Sequence, residues 1–99
     1  MTHDGGLLLA LLDEDWRPRH MLPLRQEWHL LLPRLLADEG SWIALLQRRD
    51  PGESPLPRPT DIVLTRNLAR SLRPLDLRFA DHVIAAGEAR FSFRAAGLL

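Results

Sequence analysis

Residues 47–62 read QRRDPGESPLPRPTDI, and four of the six charged side chains in this stretch are the candidates for chemistry: Arg48, Asp50, Arg58 and Asp61. Only the two aspartates could ligate a metal, because a guanidinium has no lone pair to give and does not deprotonate in proteins. Two carboxylates beside an arginine form an ion pair far more readily than a zinc site, which needs three or four donors of its own. Elsewhere, Asp81-His82 looks like part of a Ser-His-Asp relay. Ser54 and Ser92 have no base at motif spacing, however, so nucleophilic catalysis is unsupported and His82 reads as structural. His20 and His29 read as surface or packing residues, and His3 falls in the terminus. The Arg48-Arg49 pair reads as a solvated loop end rather than a phosphate clamp. No Gly-rich phosphate loop or Cys/His cluster is present.

Composition narrows the partners. The chain has 99 residues, with 13 arginines and no lysine balanced by 13 acidic residues, for a formal net charge of zero. A neutral chain lacks the long-range pull that phosphate backbones exert on basic domains, so nucleic acid is disfavoured as a partner. Zero cysteines exclude disulfides, thiolate nucleophiles and cysteine-ligated zinc. The apolar run Leu7–Leu12 ends at Asp13-Glu14-Asp15, and six residues cannot span a bilayer. These features place the chain in the cytoplasm, as one domain over residues 1–99 with no membrane contact.

Alternating and helical patterns supply the elements that must position the charged loop. Leu7–Leu12 suggests a strand covered on both faces, with a short helix as the competing reading. Trp16–Leu24 follows as its hairpin partner, pushed to a sheet edge by Pro18 and Pro23. Trp28, Leu31, Leu32, Leu35 and Leu36 mark one stripe of a helix that must kink at Pro33 or begin beside it. Ser41–Gln47 reads as a central strand, and residues 48–60 as a surface loop with four prolines. Thr60 is the expected N-cap, with Asp61 in the first turn at the positive end of the helix dipole. Leu64, Leu68 and Leu72 continue that helix until Pro74. Leu75–Ala86 gives a strand, Gly87-Glu88 a turn and Ala89–Phe93 the returning strand, with one helical turn expected over Arg94–Leu99. The three tryptophans are expected in the core, although one of them could anchor a partner surface.

The charged loop and the C-terminal segment ADHVIAAGEARFSFRAAGLL resemble the RadC branch of the JAB/MPN metalloprotease-like family. In that family a strand ends in His-x-His-Pro, a Gly- and Pro-rich loop comes next, and Ser-x-x-Asp opens a helix. The resemblance implies a three-layer α/β fold of cytidine-deaminase-like type: a mixed sheet flanked by helices in the order ββαβαββ, here without the helix-hairpin-helix segment of full-length RadC proteins. It also implies a zinc ion held by two histidines and an aspartate, with a glutamate activating the bound water. In this frame Arg48 and Asp50 stand at the histidine positions, Arg58 at the serine position, and Asp61 alone matches. Glu27 is the best remaining carboxylate for the glutamate and falls in the first helix. The expectation is a degenerate site without zinc or other cofactor, with Arg48 paired to Asp61 or Asp50. Its function is then that of a catalytically inactive protein-interaction module, through a protein partner or a homodimer. The alternative is a zinc-dependent metallopeptidase-like hydrolase with a site rebuilt from Asp50, Asp61 and a histidine. A folded remnant without activity is a third possibility.

Overall fold

The computed structural model of the protein describes residues 6–24 and 42–99. Strand β1 (Leu7–Leu12) turns back into β2 (Pro18–Pro23); then come β3 (Trp42–Arg49), the helix α1 (Pro59–Leu72), a 3-10 turn (Arg73–Leu75), β4 (Arg78–Ala86) and β5 (Ala89–Ser92). The strands form one sheet in the order β2-β1-β3-β4-β5. β3 and β4 run parallel, as a strand–helix–strand crossover requires, and the other pairs are antiparallel, so the sheet is mixed. The helix expected around Trp28–Leu36, with Glu27 and His29, lies outside the described residues, as does His3.

β2 is an edge strand, and a proline stands at each of its ends, where a missing N–H costs no ladder bond. Because alternate residues of a strand face opposite ways, β1 and β3 each serve two faces of the sheet. Leu9, Leu11, Ile43 and Leu45 pack with Leu24 and with Leu68 and Leu72 of α1. Ala10 and Leu12 lie on the other face with Ala80, Trp42 and Ala44.

The N-cap falls two residues earlier than expected. Arg58 is the cap residue, and Pro59 occupies the first helical position, where its ring suits the backbone and its missing N–H is no loss. The carboxylate of Asp61 reaches back to accept the Arg58 backbone N–H at 2.7 Å, the half of a capping box that a third-position acid supplies. Pro74 ends the helix through the 3-10 turn, and Asp76 adopts a left-handed φ of 58° to release the chain into β4. Residues 75–77, expected in the strand, are used for that exit. The chain end makes a single turn: Ala96 N–H donates to the Ser92 carbonyl four residues back at 3.1 Å, and Leu98 N–H to the Phe93 carbonyl at 2.8 Å.

Two local devices set what the sheet presents to α1. Phe79 pairs with Ile43 and Asp81 with Ala44, so Ala80 is an extra residue in β4. This bulge breaks strict alternation and leaves both Phe79 and His82 on the helix side. At the other end of β3, Gly6 runs so close to the strand that a Cβ there would sit 2.7 Å from the Arg48 carbonyl oxygen.

Candidate functional site

The buried face of α1 is the stripe Asp61, Thr65, Leu68 and Leu72. Its lower half is apolar and closes the core, whereas its first two turns are polar and face the end of β3. β3 carries Ile43 and Leu45 on that side and continues the alternation with Gln47 and Arg49. Strand and helix therefore bring together Gln47, Arg49, Asp61, Thr65 and, through the bulge, His82.

The contacts form one chain. The Arg49 guanidinium pairs through Nη2 with Asp61 Oδ2, both side chains nearly buried. Its Nη1 donates to the Ser54 and Leu56 carbonyls at 2.8 and 2.7 Å, tying down the proline-rich loop. Gln47 Nε2 donates to Asp61 Oδ1 at 3.2 Å. A carboxylate only accepts, so this bond fixes the orientation of the amide. Gln47 Oε1 then faces His82 Nε2 at 3.0 Å, and that nitrogen must carry the proton. His82 Nδ1 is left to accept from the Thr65 hydroxyl at 2.6 Å.

His82 is thus a neutral imidazole with both nitrogens occupied. Its side chain is fully buried and stacks on Phe93, with ring centres 4.3 Å apart and planes within 8°. Burial depresses its pKa from 6.5 to about 4, against a smaller opposing pull from Asp61 and Asp81. The sequence reading takes His82 as structural; the bulge makes it the buried inner end of the network. Thr65 and Gln47 are absent from that reading, and Arg49, read there with Arg48 as a solvated loop end, is instead nearly buried against Asp61. The period-two continuation from Ile43 and Leu45, and the helical spacing from Asp61 to Leu72, are the signals that could have found them.

Asp61 is at the centre, but it brings in different partners from those expected. Arg48 is exposed, and the cation that meets Asp61 among the described residues is its neighbour Arg49. The reason is the pleat: β3 runs on to Arg49, so the odd-numbered side chains face the helix and Arg48 faces away. Asp50 is exposed where the loop begins, its backbone N–H donating to Glu53 Oε2 at 3.0 Å. Arg58 turns outward to Glu53 at 2.9 Å. The Asp50 N–H and the Arg58 side chain hold the Glu53 pKa below its ordinary value. As an exposed pair, Arg58–Glu53 adds little to stability.

The sequence match covers the same elements. The family model described as RadC-like JAB domain matches residues 33–98. The chain belongs to the RadC-like JAB domain family. UPF0758 proteins of Neisseria meningitidis serogroup B and of Neisseria gonorrhoeae strain NCCP11945 are each 35% identical to it over 66 residues. Those residues make up 67% of this chain and 29% of each relative, so the chain spans less than a third of the length of the curated relatives it matches. The mixed α/β architecture is consistent with a JAB domain. No helix among the described residues is long and apolar enough to cross a membrane.

The zinc ion that the RadC-like family implies does not fit the residues around Asp61. Both carboxylate oxygens already receive N–H donors, from Gln47 on one and from Arg49 and the Arg58 backbone on the other. The Gln47 carbonyl is engaged by His82, whose remaining nitrogen holds Thr65. A guanidinium beside a dication is also repulsive: a unit pair about 4 Å apart interacts by roughly 4 kcal/mol near a protein surface, and the double charge doubles that. What the arrangement can do is bind the loop to the helix and hold one neutral histidine.

Proposed function

We propose that this RadC-like JAB domain is catalytically inactive and acts by binding another protein in the cytoplasm. The observation that carries the reading is Arg49 seated on Asp61, where the family frame calls for a metal. The cation, the capped carboxylate and the doubly bonded His82 turn the region into a structural lock. A rigid loop braced by Arg49 through two carbonyls suits a scaffold that presents a surface.

Elemental analysis and thermal melting of untagged protein test it. We expect less than one zinc per ten chains, and a melting temperature unchanged by zinc or by a chelator. One tightly held zinc per chain, whose removal lowers the melting temperature, would overturn the reading.

A further inference from the structure

The opposite end of the sheet carries a feature that the Asp61 network does not use. Trp16, in the β1–β2 turn, is 43% exposed. Its ring lies 5.3 Å from that of Trp42 at the start of β3. Arg78 stands over Trp42 at 5.2 Å, and Arg94 over Trp16 at 5.6 Å. Trp16 also has a φ of 64°, a left-handed backbone that a bulky side chain rarely adopts.

The turn enforces that conformation. Asp13 Oδ1 accepts the N–H groups of Asp15 and Arg17 at 2.8 and 2.9 Å, and the Trp16 N–H donates to the Asp13 carbonyl at 3.0 Å. A strained backbone held by several bonds, which leaves nearly half of a large apolar residue exposed beside Trp42, marks a place where that exposure is wanted. Beside it Glu14 and Asp15 are exposed. Arg78 also lines an open groove of about 500 Å³, together with Ala69, Arg73, Asp76, Leu77 and Phe79.

Turn and groove are complementary: an acidic loop tipped with tryptophan, and a cleft lined by Leu77, Phe79 and two arginines that outnumber its one acid, Asp76. We propose that this end of the sheet is a homodimer interface. A two-fold axis sets the Trp16 turn of each copy into the groove of the other, with Glu14 and Asp15 against Arg73 and Arg78. An isologous contact of this kind needs one surface carrying both halves of the match, and here Trp42 links them: its ring lies against Trp16 and under Arg78 of the groove. Trp and Arg are the side chains that dominate binding energy at such contacts. The proposal extends the binding reading of the domain to a named face and a named occupant. Its test reads mass rather than zinc, so the two fail separately.

Sedimentation equilibrium at high micromolar concentration is the experiment, on the whole chain of 11.3 kDa. The expected result is twice that mass. Trp16→Gly, which removes the ring and suits the left-handed backbone, should give a monomer that still unfolds in one cooperative transition. The pair Glu14→Arg with Asp15→Arg should also be monomeric, as should Arg73→Glu with Arg78→Glu. Mixing these two double variants restores both contacts and should return a mixed dimer. A monomeric wild type, or a dimer indifferent to all three changes, overturns the proposal, and so does failure of the mixture to associate.

Discussion

Acid should unlock the network through His82, and the size of the effect comes from its burial. The ring is fully buried between Thr65 and Gln47, and its pKa falls from 6.5 to about 4 on folding. Between those values the unfolded chain takes up a proton that the folded chain refuses. Its contribution to stability is therefore complete above pH 6.5 and is lost as the pH drops toward 4. Linkage gives a loss of about 2 kcal/mol between pH 7 and pH 5, within a full span of about 3 kcal/mol. Urea unfolding at several pH values measures it, with His82→Leu as the reference that lacks the titrating group. The variant is less stable at neutral pH, because Gln47 and Thr65 lose a partner, but its stability should fall less steeply with acid. NMR titration of the folded wild type should place the His82 midpoint near 4, with the proton on Nε2 above it. Equal slopes in the two proteins, or a folded midpoint close to 6.5, would refute the reasoning.

The packing sets four further outcomes. Asp61→Ala leaves the nearly buried Arg49 guanidinium without its carboxylate and should cost about 3–5 kcal/mol in denaturant unfolding. The double variant Arg49→Met with Asp61→Leu should cost well under the sum of its singles, a coupling that a double-mutant cycle reads directly. Gly6→Ala drives a methyl group against the Arg48 carbonyl oxygen, a backbone atom that cannot swing aside, so a loss of about 1–3 kcal/mol is expected by thermal melting. Arg94 donates to the Ala80 carbonyl at 2.5 Å and the Phe79 carbonyl at 3.0 Å. Arg94→Ala should cost about 1–3 kcal/mol by orphaning these groups, with faster hydrogen exchange at the Phe93 amide that bonds to the His82 carbonyl.

Much of the architecture is legible in the residues. Pro18 and Pro23 mark an edge strand, Gly87-Glu88 marks the last hairpin, and Leu68 with Leu72 marks the buried face of α1. Gly87 takes a φ of 61° against Pro51, which the turn reading requires. The site is half legible. Asp61 stands out, because an acid in a first helical turn has a local electrostatic reason. Its partner is expected one residue early, because the Pro51-to-Asp61 spacing sets the frame and the phase of β3 does not. Phase is settled by which side chains the core takes, and Ile43 and Leu45 commit Gln47 and Arg49 to the helix side. His82 cannot be placed by alternation at all, since the bulge at Ala80 is held by Asp81, Ser92 and Arg94 across the hairpin. Trp16 reads as core because its ring is apolar, whereas the Asp13 turn leaves it 43% exposed on the rim beside Trp42.

That bulge also gives β4 some slack. Excising Ala80 would leave Phe79 and Asp81 as ordinary neighbours, with Ile43, Ala44 and Leu45 keeping their present partners, so no later side chain would change sides. The same excision at Val83 would turn Asp81 and His82 over, or else Ile84 and Ala85. Sequence drift in this strand can therefore change its length at one point without a change of orientation.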